Sequence, residues 1–423
     1  MKGRGALARV TGTYRPKLPP EAGEIVALRE ASGMNALLVG WAVVDIERHA
    51  RDVAVDHVTI PIYGAQALGY DLLELRAVLR ELFLFVLARD IEITFESWPV
   101  QGDLSQATEG GQTIQNLCLF SGGVDSFAGI LAAKHEVGQV EGVFCAHSDQ
   151  SKIIGLVERF AQTALAQEKI GLRRTPGPRL GSRGYVQLRG FLYVLSAGMW
   201  VNRLGANRIF VTECGPTMFQ PRFSPLDAVT MTTHPIVVQS ARDALRILMA
   251  RPIEVVTPFA EWTKAEVMAA SSRKWELWHT HSCVSQRFAR HDGTCYGCVV
   301  RRLAAIAAGV RDVRYTRNPL WDERASGGNL LSLLNYCCDL LLGYGGMEEY
   351  ERQEIERYNK RELFRRFALD NLAALHLLAG QRKRLRRSIW MLYSEVLAEL
   401  GKETLDQRLH ELRTGPRPTA NFG

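Results

Sequence analysis

Asn116-Leu117-Cys118-Leu119-Phe120 is a short apolar run that leads into Ser121-Gly122-Gly123-Val124-Asp125-Ser126, and Val124–Lys134 then reads as a helix. Where a strand passes through serine and two glycines into a helix, successive backbone N–H groups can turn inward and cradle an anion. The helix adds its positive end. Glycine suits both positions, because a Cβ would obstruct the close approach of a phosphate and the positive φ angles of such a turn. Ser121 and Ser126 offer hydroxyl donors. Asp125 would repel a bare phosphate, so its fitting role is to hold the Mg²⁺ that neutralises one. A plainer reading also stands: a glycine-rich turn that starts a helix, with Asp125 favourable in the first turn. The loop lacks the Gly-x4-Gly-Lys-Ser/Thr spacing of a Walker A motif.

Outward from this loop, strand and helix patterns alternate. Val140–Ala146 reads as a strand, Ile153–Gln167 as a helix, Phe191–Leu204 as an apolar helix and Arg208–Thr212 as a strand. Such alternation implies βαβ units and a parallel sheet covered on both faces. Ligands of such sheets bind at the carboxyl ends of the strands, so the loops after Phe120, Ala146 and Thr212 should converge. This α/β region is assigned to residues 113–317.

Residues 1–112 read as an α+β accessory domain without recognisable chemistry. Its strand-like stretches are Glu24–Arg29, Ala36–Ile46, Val53–Ile62 and Ile91–Phe95. Leu72, Leu75, Leu79, Leu82, Phe83 and Val86 repeat at helical spacing between Asp71 and Ala88. Gly102–Gln115 reads as a linker. Residues 318–423 read as a helical region with Asn329–Leu342, Glu349–Arg366, Leu369–Leu378 and Ser388–Leu400 as helices, and Thr414–Gly423 as a loose tail.

The 423 residues, 47% hydrophobic and 23% charged, exclude a disordered or fibrous chain and leave room for two or three domains. No apolar run approaches the roughly 18 residues of a membrane span, and no signal-peptide core follows the basic start. Eight cysteines are too few for a disulfide scaffold of this length. A cytoplasmic protein without membrane partners is the expectation. The net charge is +7, densest at Arg382–Arg387. That run suits either a polyanion such as nucleic acid or, more commonly, a solvated helix face near Glu395 and Glu399.

Cys283 and the pair Cys295-x2-Cys298 have metal-site spacing. Two thiolates two residues apart bind one tetrahedral Zn²⁺, with Cys283 arriving from a second loop. Unmetallated core cysteines, a [4Fe–4S] cluster and a redox pair are the alternatives. Cys337-Cys338 reads as core. Arg189 opens a helix, where the dipole disfavours a cation, so a functional reason is preferred. Thr263 and Glu266 form a capping box, and Lys264 between them could serve structure alone or reach a phosphate. His234 fits a site residue or a satisfied core histidine equally.

The Ser121–Ser126 loop resembles the PP-loop of the N-type ATP pyrophosphatases. The order of Ser121–Ser126, Arg189, Thr257–Glu266 and the cysteines resembles the QueC family. This resemblance covers roughly the middle half of the chain. It implies a PP-loop (adenine nucleotide alpha hydrolase-like) core and ATP contacts from Ser121, Gly122, Gly123, Val124, Asp125, Ser126, Ala146, His147 and Gly215. It implies catalytic roles for Asp125, Ser126, Arg189 and Lys264, with ATP, Mg²⁺ and Zn²⁺ as cofactors. The family carries four cysteines at its metal site. Asp292 stands where one is missing, which leaves His291, Asp292 and His281 as candidate fourth ligands, His291 preferred because imidazole suits zinc.

QueC proteins adenylate 7-carboxy-7-deazaguanine and release AMP and PPi. This chain also departs from them: both flanks are additional, and Pro221-Arg222-Phe223-Ser224-Pro225 stands where QueC has Tyr-Pro-Asp-Cys-Arg. Longer QueC-like families with such flanks, QatC of the Qat antiphage system and its type IV CBASS counterparts, look most similar. That likeness implies an ATP-dependent carbon–nitrogen ligase joining the deazaguanine to an amine on a partner protein of the same operon. A 7-cyano-7-deazaguanine (preQ0) synthase proper, or a PP-loop tRNA thiolase or lysidine synthetase, is the runner-up.

Overall fold

The computed structural model describes residues 8–9, 13–17, 26–51, 53–101, 113–147, 151–178, 186–219, 231–283, 291–322, 328–343, 349–380 and 385–422. At its centre lie five parallel strands in the spatial order Glu254–Val256, Arg208–Phe210, Asn116–Leu119, Glu141–His147, Leu172–Gly177. The chain starts the sheet in the middle, builds outward on one side, and then returns to build the other. Such a reversal opens a crevice at the carboxyl ends of the two strands beside it, here Asn116–Leu119 and Arg208–Phe210. The segments that follow those two strands carry the candidate site.

Side chains alternate across the sheet, as the pleat requires. Leu117, Ile209 and Val211 enter a core with Phe191, Leu195, Val237 and Leu245. Cys118, Phe120 and Phe210 enter the opposite core with Phe127, Met268, Leu303 and Leu372. Each flanking region completes one of these faces. The helix Leu28–Ala50 packs on the helices Arg189–Leu204 and Pro235–Met249. The helices Arg361–Gly380 and Lys402–Thr414 pack on Lys264–Ala270 and Tyr296–Ala308. No helix among the described residues is long and apolar enough to cross a membrane.

Several elements differ from the sequence reading. Ala36–Ile46, read as a strand, lies inside the helix Leu28–Ala50. Its Val-rich run is buried on nearly every side, and burial on all faces removes the periodicity that separates helix from strand. The strands His57–Tyr63 and Glu92–Trp98 pair in parallel around the helix Leu72–Leu87, a strand–helix–strand unit rather than a segregated α+β one. Glu349–Arg366 is broken at Asn359, whose φ of +52° ends one helix at Arg357 before the next begins at Arg361. The tail is not loose: Phe422 is buried against Phe210 and Phe259, with ring centroids 5.4 and 6.3 Å apart. Residues 102–112 of the linker, 221–225, and 382–384 of the basic run lie outside the described residues.

Candidate active site

The turn after Asn116–Leu119 is shaped by one glycine above all. Gly122 has φ +76°, and a Cβ there would also come within 3.0 Å of Val157 Cγ2. Gly123 has φ −80°, open to any residue, and is the N-cap of the helix Val124–Val137 without a capping side chain. The positive-φ requirement read for both glycines thus applies to the first. Ser126 Oγ accepts from Ser121 N at 3.2 Å and from Ser121 Oγ at 3.1 Å, and donates to Gly123 O at 3.1 Å. The two hydroxyls therefore hold the loop's shape. With no side chain capping it, the helix start keeps donors for an anion.

Asp125 sits in the first turn of this helix, 5% exposed, and its Oδ2 accepts a hydrogen bond from Lys264 Nζ. Lys264 opens the helix Lys264–Ala270. There Thr263 Oγ1 accepts from Glu266 N at 3.2 Å while Glu266 Oε2 accepts from Thr263 N at 2.9 Å, the expected capping box. Burial pushes the Asp125 carboxyl up, but the Lys264 ammonium outweighs it and holds the group below the usual carboxylate range. Glu213, just past the strand Arg208–Phe210, is pushed up to about 8, first by burial and then by the charge of Asp125.

One ligand atom each of Asp125, Glu213 and Cys214 lies within 4.8 Å of the others. Asp125 Oδ1 is buried beside them without a hydrogen bond of good geometry among the described residues, although Glu213 is near enough to perturb its titration. The two carboxylates suit a hard divalent cation. The Cys214 thiol, kept protonated by burial and 3.0 Å from Thr217 Oγ1, does not. Glu213 is not among the site residues expected from the sequence, where the same segment is represented by Gly215 alone. The available signal was its place at the carboxyl end of a strand bordering the crevice.

The other expected residues sit as follows. Arg189 opens the helix Arg189–Leu204, and its Nε donates to Val186 O at 3.2 Å. The preceding turn is anchored from the N-terminal region: Gln187 N and Leu188 N donate to the carboxylate of Glu47 at 2.7 and 2.8 Å. Glu47 is fully buried and paired with Arg51. Burial pushes its carboxyl up, with the two backbone donors and Arg51 working the other way. Gly215 has a packing explanation. Its N donates to Phe259 O and Trp262 O at 3.0 Å, and a Cβ would come within 2.2 Å of Ala260 O and 2.5 Å of Leu363 Cδ2.

The backbone of Ala146 and His147 ends the strand Glu141–His147, while their side chains lie outside the described residues. His234 is a satisfied core histidine. It is 1% exposed, its Nδ1 accepts from Ile236 N at 3.3 Å to cap the helix Pro235–Met249, and its Nε2 lies 3.1 Å from Glu354 Oε2.

The sulfurs of Cys283, Cys295 and Cys298 lie within 4.8 Å of one another, Cys283 and Cys295 at 3.8 Å. Cys295 is the N-cap of the helix Tyr296–Ala308, so two of the three thiols stand at a positive helix end. Hydrogen bonds among the thiols keep protons on Cys283 and Cys298. Three thiolates this close need a cation between them, so the donor set fits a thiophilic metal such as Zn²⁺.

None of the three candidate fourth ligands joins that group among the described residues. His291 Nε2 accepts from Ser282 N at 3.1 Å, and burial, then Arg301, lowers its pKa to about 3. Asp292 Oδ1 accepts from Thr294 N at 2.9 Å, and the His281 ring lies 4.7 Å from that of His291.

The cysteine segment is tied to the glycine loop. His281 N donates to Gly122 O at 2.9 Å. Arg301, fully buried, donates to Leu277 O at 2.6 Å, Thr280 O at 2.8 Å and Asp312 Oδ1 at 2.9 Å, holding the segment in place.

Residues 149–309 match the family model described as queuosine biosynthesis protein QueC. The stretch takes in Arg189, Glu213, Lys264 and the three cysteines, and begins downstream of the Ser121–Ser126 loop. No curated protein shows a significant match to the chain. Residues 149–309 are thus similar to a family that uses ATP, and the chain has additional regions on both sides of that stretch.

Proposed function

We propose that this chain is a QueC-like PP-loop enzyme that adenylates the carboxylate of 7-carboxy-7-deazaguanine and passes the acyl group to an amine. The fitting acceptor is an amine on a partner protein encoded in the same antiphage operon. The carrying observation is the buried pair of Asp125, at an uncapped helix start following the strand where the sheet order reverses, with Lys264, inside the QueC-matching stretch.

A carboxylate resists attack by an amine until one of its oxygens becomes part of a phosphoanhydride. In the first step that oxygen attacks the α-phosphorus and PPi departs. In the second the amine attacks the acyl carbon and AMP departs. The N–H groups opening the helix Val124–Val137, with Lys264, stabilise the charge that grows on the phosphates. Mg²⁺, when bound, neutralises phosphate charge, and Asp125 with Glu213 beside it would hold the ion. Cys283, Cys295 and Cys298 would hold Zn²⁺, whose role would be structural, fixing the segment whose His281 N–H supports Gly122.

Incubation with ATP, Mg²⁺ and 7-carboxy-7-deazaguanine should release PPi and AMP, and Asp125→Ala should abolish release. Unchanged turnover in that variant would refute the site assignment. Intact mass spectrometry of the operon partner after co-expression reads the acceptor. A deazaguanine acyl increment supports conjugation, whereas a nitrile product formed with ammonium identifies a synthase. Release that requires tRNA points to a tRNA-modifying enzyme.

A further inference from the structure

We propose that Arg408, on the helix Lys402–Thr414, is a positioning residue for Lys264, making the C-terminal helices part of the catalytic unit. The proposal rests on the role given to Lys264 above. The helix Lys264–Ala270 has only seven residues, too short to hold itself together, so its first turn depends on its cap. That cap is gripped from outside. Arg408, 5% exposed, places Nη2 2.6 Å from Glu266 Oε1 and Nε 2.7 Å from Asp370 Oδ1. The other oxygen of Glu266 caps Thr263 N, and Thr263 Oγ1 donates to Asp370 Oδ2. Arg366, on the same helix as Asp370, approaches Glu266 Oε1 at 3.3 Å.

If Glu266 rotated, it would release the backbone of the residue next to Lys264. The linkage thus runs from Arg408 through Glu266 and the Thr263 cap to Lys264 and then Asp125. A buried ionic cluster contributes little stability compared with apolar packing of the same volume. What it supplies here is a fixed orientation of the first turn.

The test uses the full chain and three variants: Arg408→Gln, Arg408→Lys and Leu412→Ala. Leu412 is fully buried on the same helix and takes no part in the cluster, so its loss destabilises without disturbing the cap. Well below the melting temperature, Arg408→Gln should lower kcat roughly tenfold while the ATP KM moves by less than about threefold. Arg408→Lys should fall between, because an ammonium cannot span both carboxylates. Leu412→Ala should keep kcat within about twofold at an equal or larger loss of Tm. Equal kcat in Arg408→Gln and wild type, or an equal loss in Leu412→Ala, would overturn the proposal.

Should Arg408→Gln fail to fold, Glu266→Gln retains a capping side chain but loses the charge that holds Arg408, and should show the same kcat loss. Hydrogen exchange of residues 121–127 and 263–270 without substrate separates the two claims. Arg408→Gln, or Glu266→Gln in its place, should exchange faster there than wild type, and equal exchange refutes the positioning role. If the wild type releases no PPi, the proposed function fails while exchange still decides the positioning.

Discussion

Neutralising the buried pair one member at a time exposes how the site is held. In Asp125→Asn the Lys264 ammonium, with its side chain 12% exposed, keeps only the Glu213 carboxyl, freed of the Asp125 charge that helps to keep it protonated, as an acidic partner. In Lys264→Met, Asp125 and Glu213 face each other without a cation. Removing one partner of a buried pair costs about 3–5 kcal/mol, whereas replacing both by neutral groups of similar size is close to neutral. Glu213 can partly replace Asp125, so about 3 kcal/mol is the expectation for Asp125→Asn and about 4 for Lys264→Met.

The double variant should cost only about 1–2 kcal/mol, a coupling of several kcal/mol. At roughly 2.1 cal/mol/K per residue, a 423-residue chain converts 3 kcal/mol into about 3–4 °C of Tm. Thermal unfolding of the four proteins gives the cycle. PPi release should be lost in all three variants, including the double one whose stability returns. Single variants that each cost under about 1 kcal/mol and simply add would mean a pair screened by water, and would refute the reasoning.

Gly122→Ala should cost about 1–2 kcal/mol because of its positive φ, and should raise the ATP KM about tenfold. Gly123→Ala, at φ −80°, should do clearly less in the same melting and kinetic measurements. Elemental analysis should find about one zinc per chain in colourless protein, and Cys298→Ser should lose it and weaken ATP binding about tenfold. Brown, iron-containing protein would contradict the zinc reading. His234 stays neutral in the fold, its pKa lowered by burial against the pull of Glu354. Unfolded, it takes a proton near pH 6.5, so the unfolded state binds more protons below that value. Its share of the stability is therefore present above about pH 6.5 and lost on acidification. Melting between about pH 7.5 and 5.5 should show a shallower fall for His234→Asn, which keeps a capping side chain without a titrating ring.

The glycine turn at Ser121–Ser126, the capping box and the grouping of the three cysteines could be read from the sequence because each depends on neighbours a few residues away. The strands Leu172–Gly177 and Glu254–Val256 could not. They are the two edges of the sheet, and Leu-Arg-Arg-Thr-Pro-Gly lacks the apolar run of a strand buried on both faces. Glu47 was hidden for a different reason. It adjoins an apolar run and looks like the polar end of a strand, and only the tertiary fold delivers it to the turn at Gln187 and Leu188. Asp370 and Arg408 lie more than a hundred residues from Thr263 and Glu266, respectively, so no local pattern joins them. The satisfied state of His234 likewise depends on Glu354, far along the chain.

The central claim is that Ser121–Ser126 grips a triphosphate in the crevice beside Lys264. A co-crystal structure with Mg²⁺ and a non-hydrolysable ATP analogue tests it most directly. The triphosphate should lie over the start of the helix Val124–Val137, with its α-phosphorus facing the carboxyl ends of Asn116–Leu119 and Arg208–Phe210. A nucleotide bound elsewhere, or none bound at millimolar analogue, would contradict it.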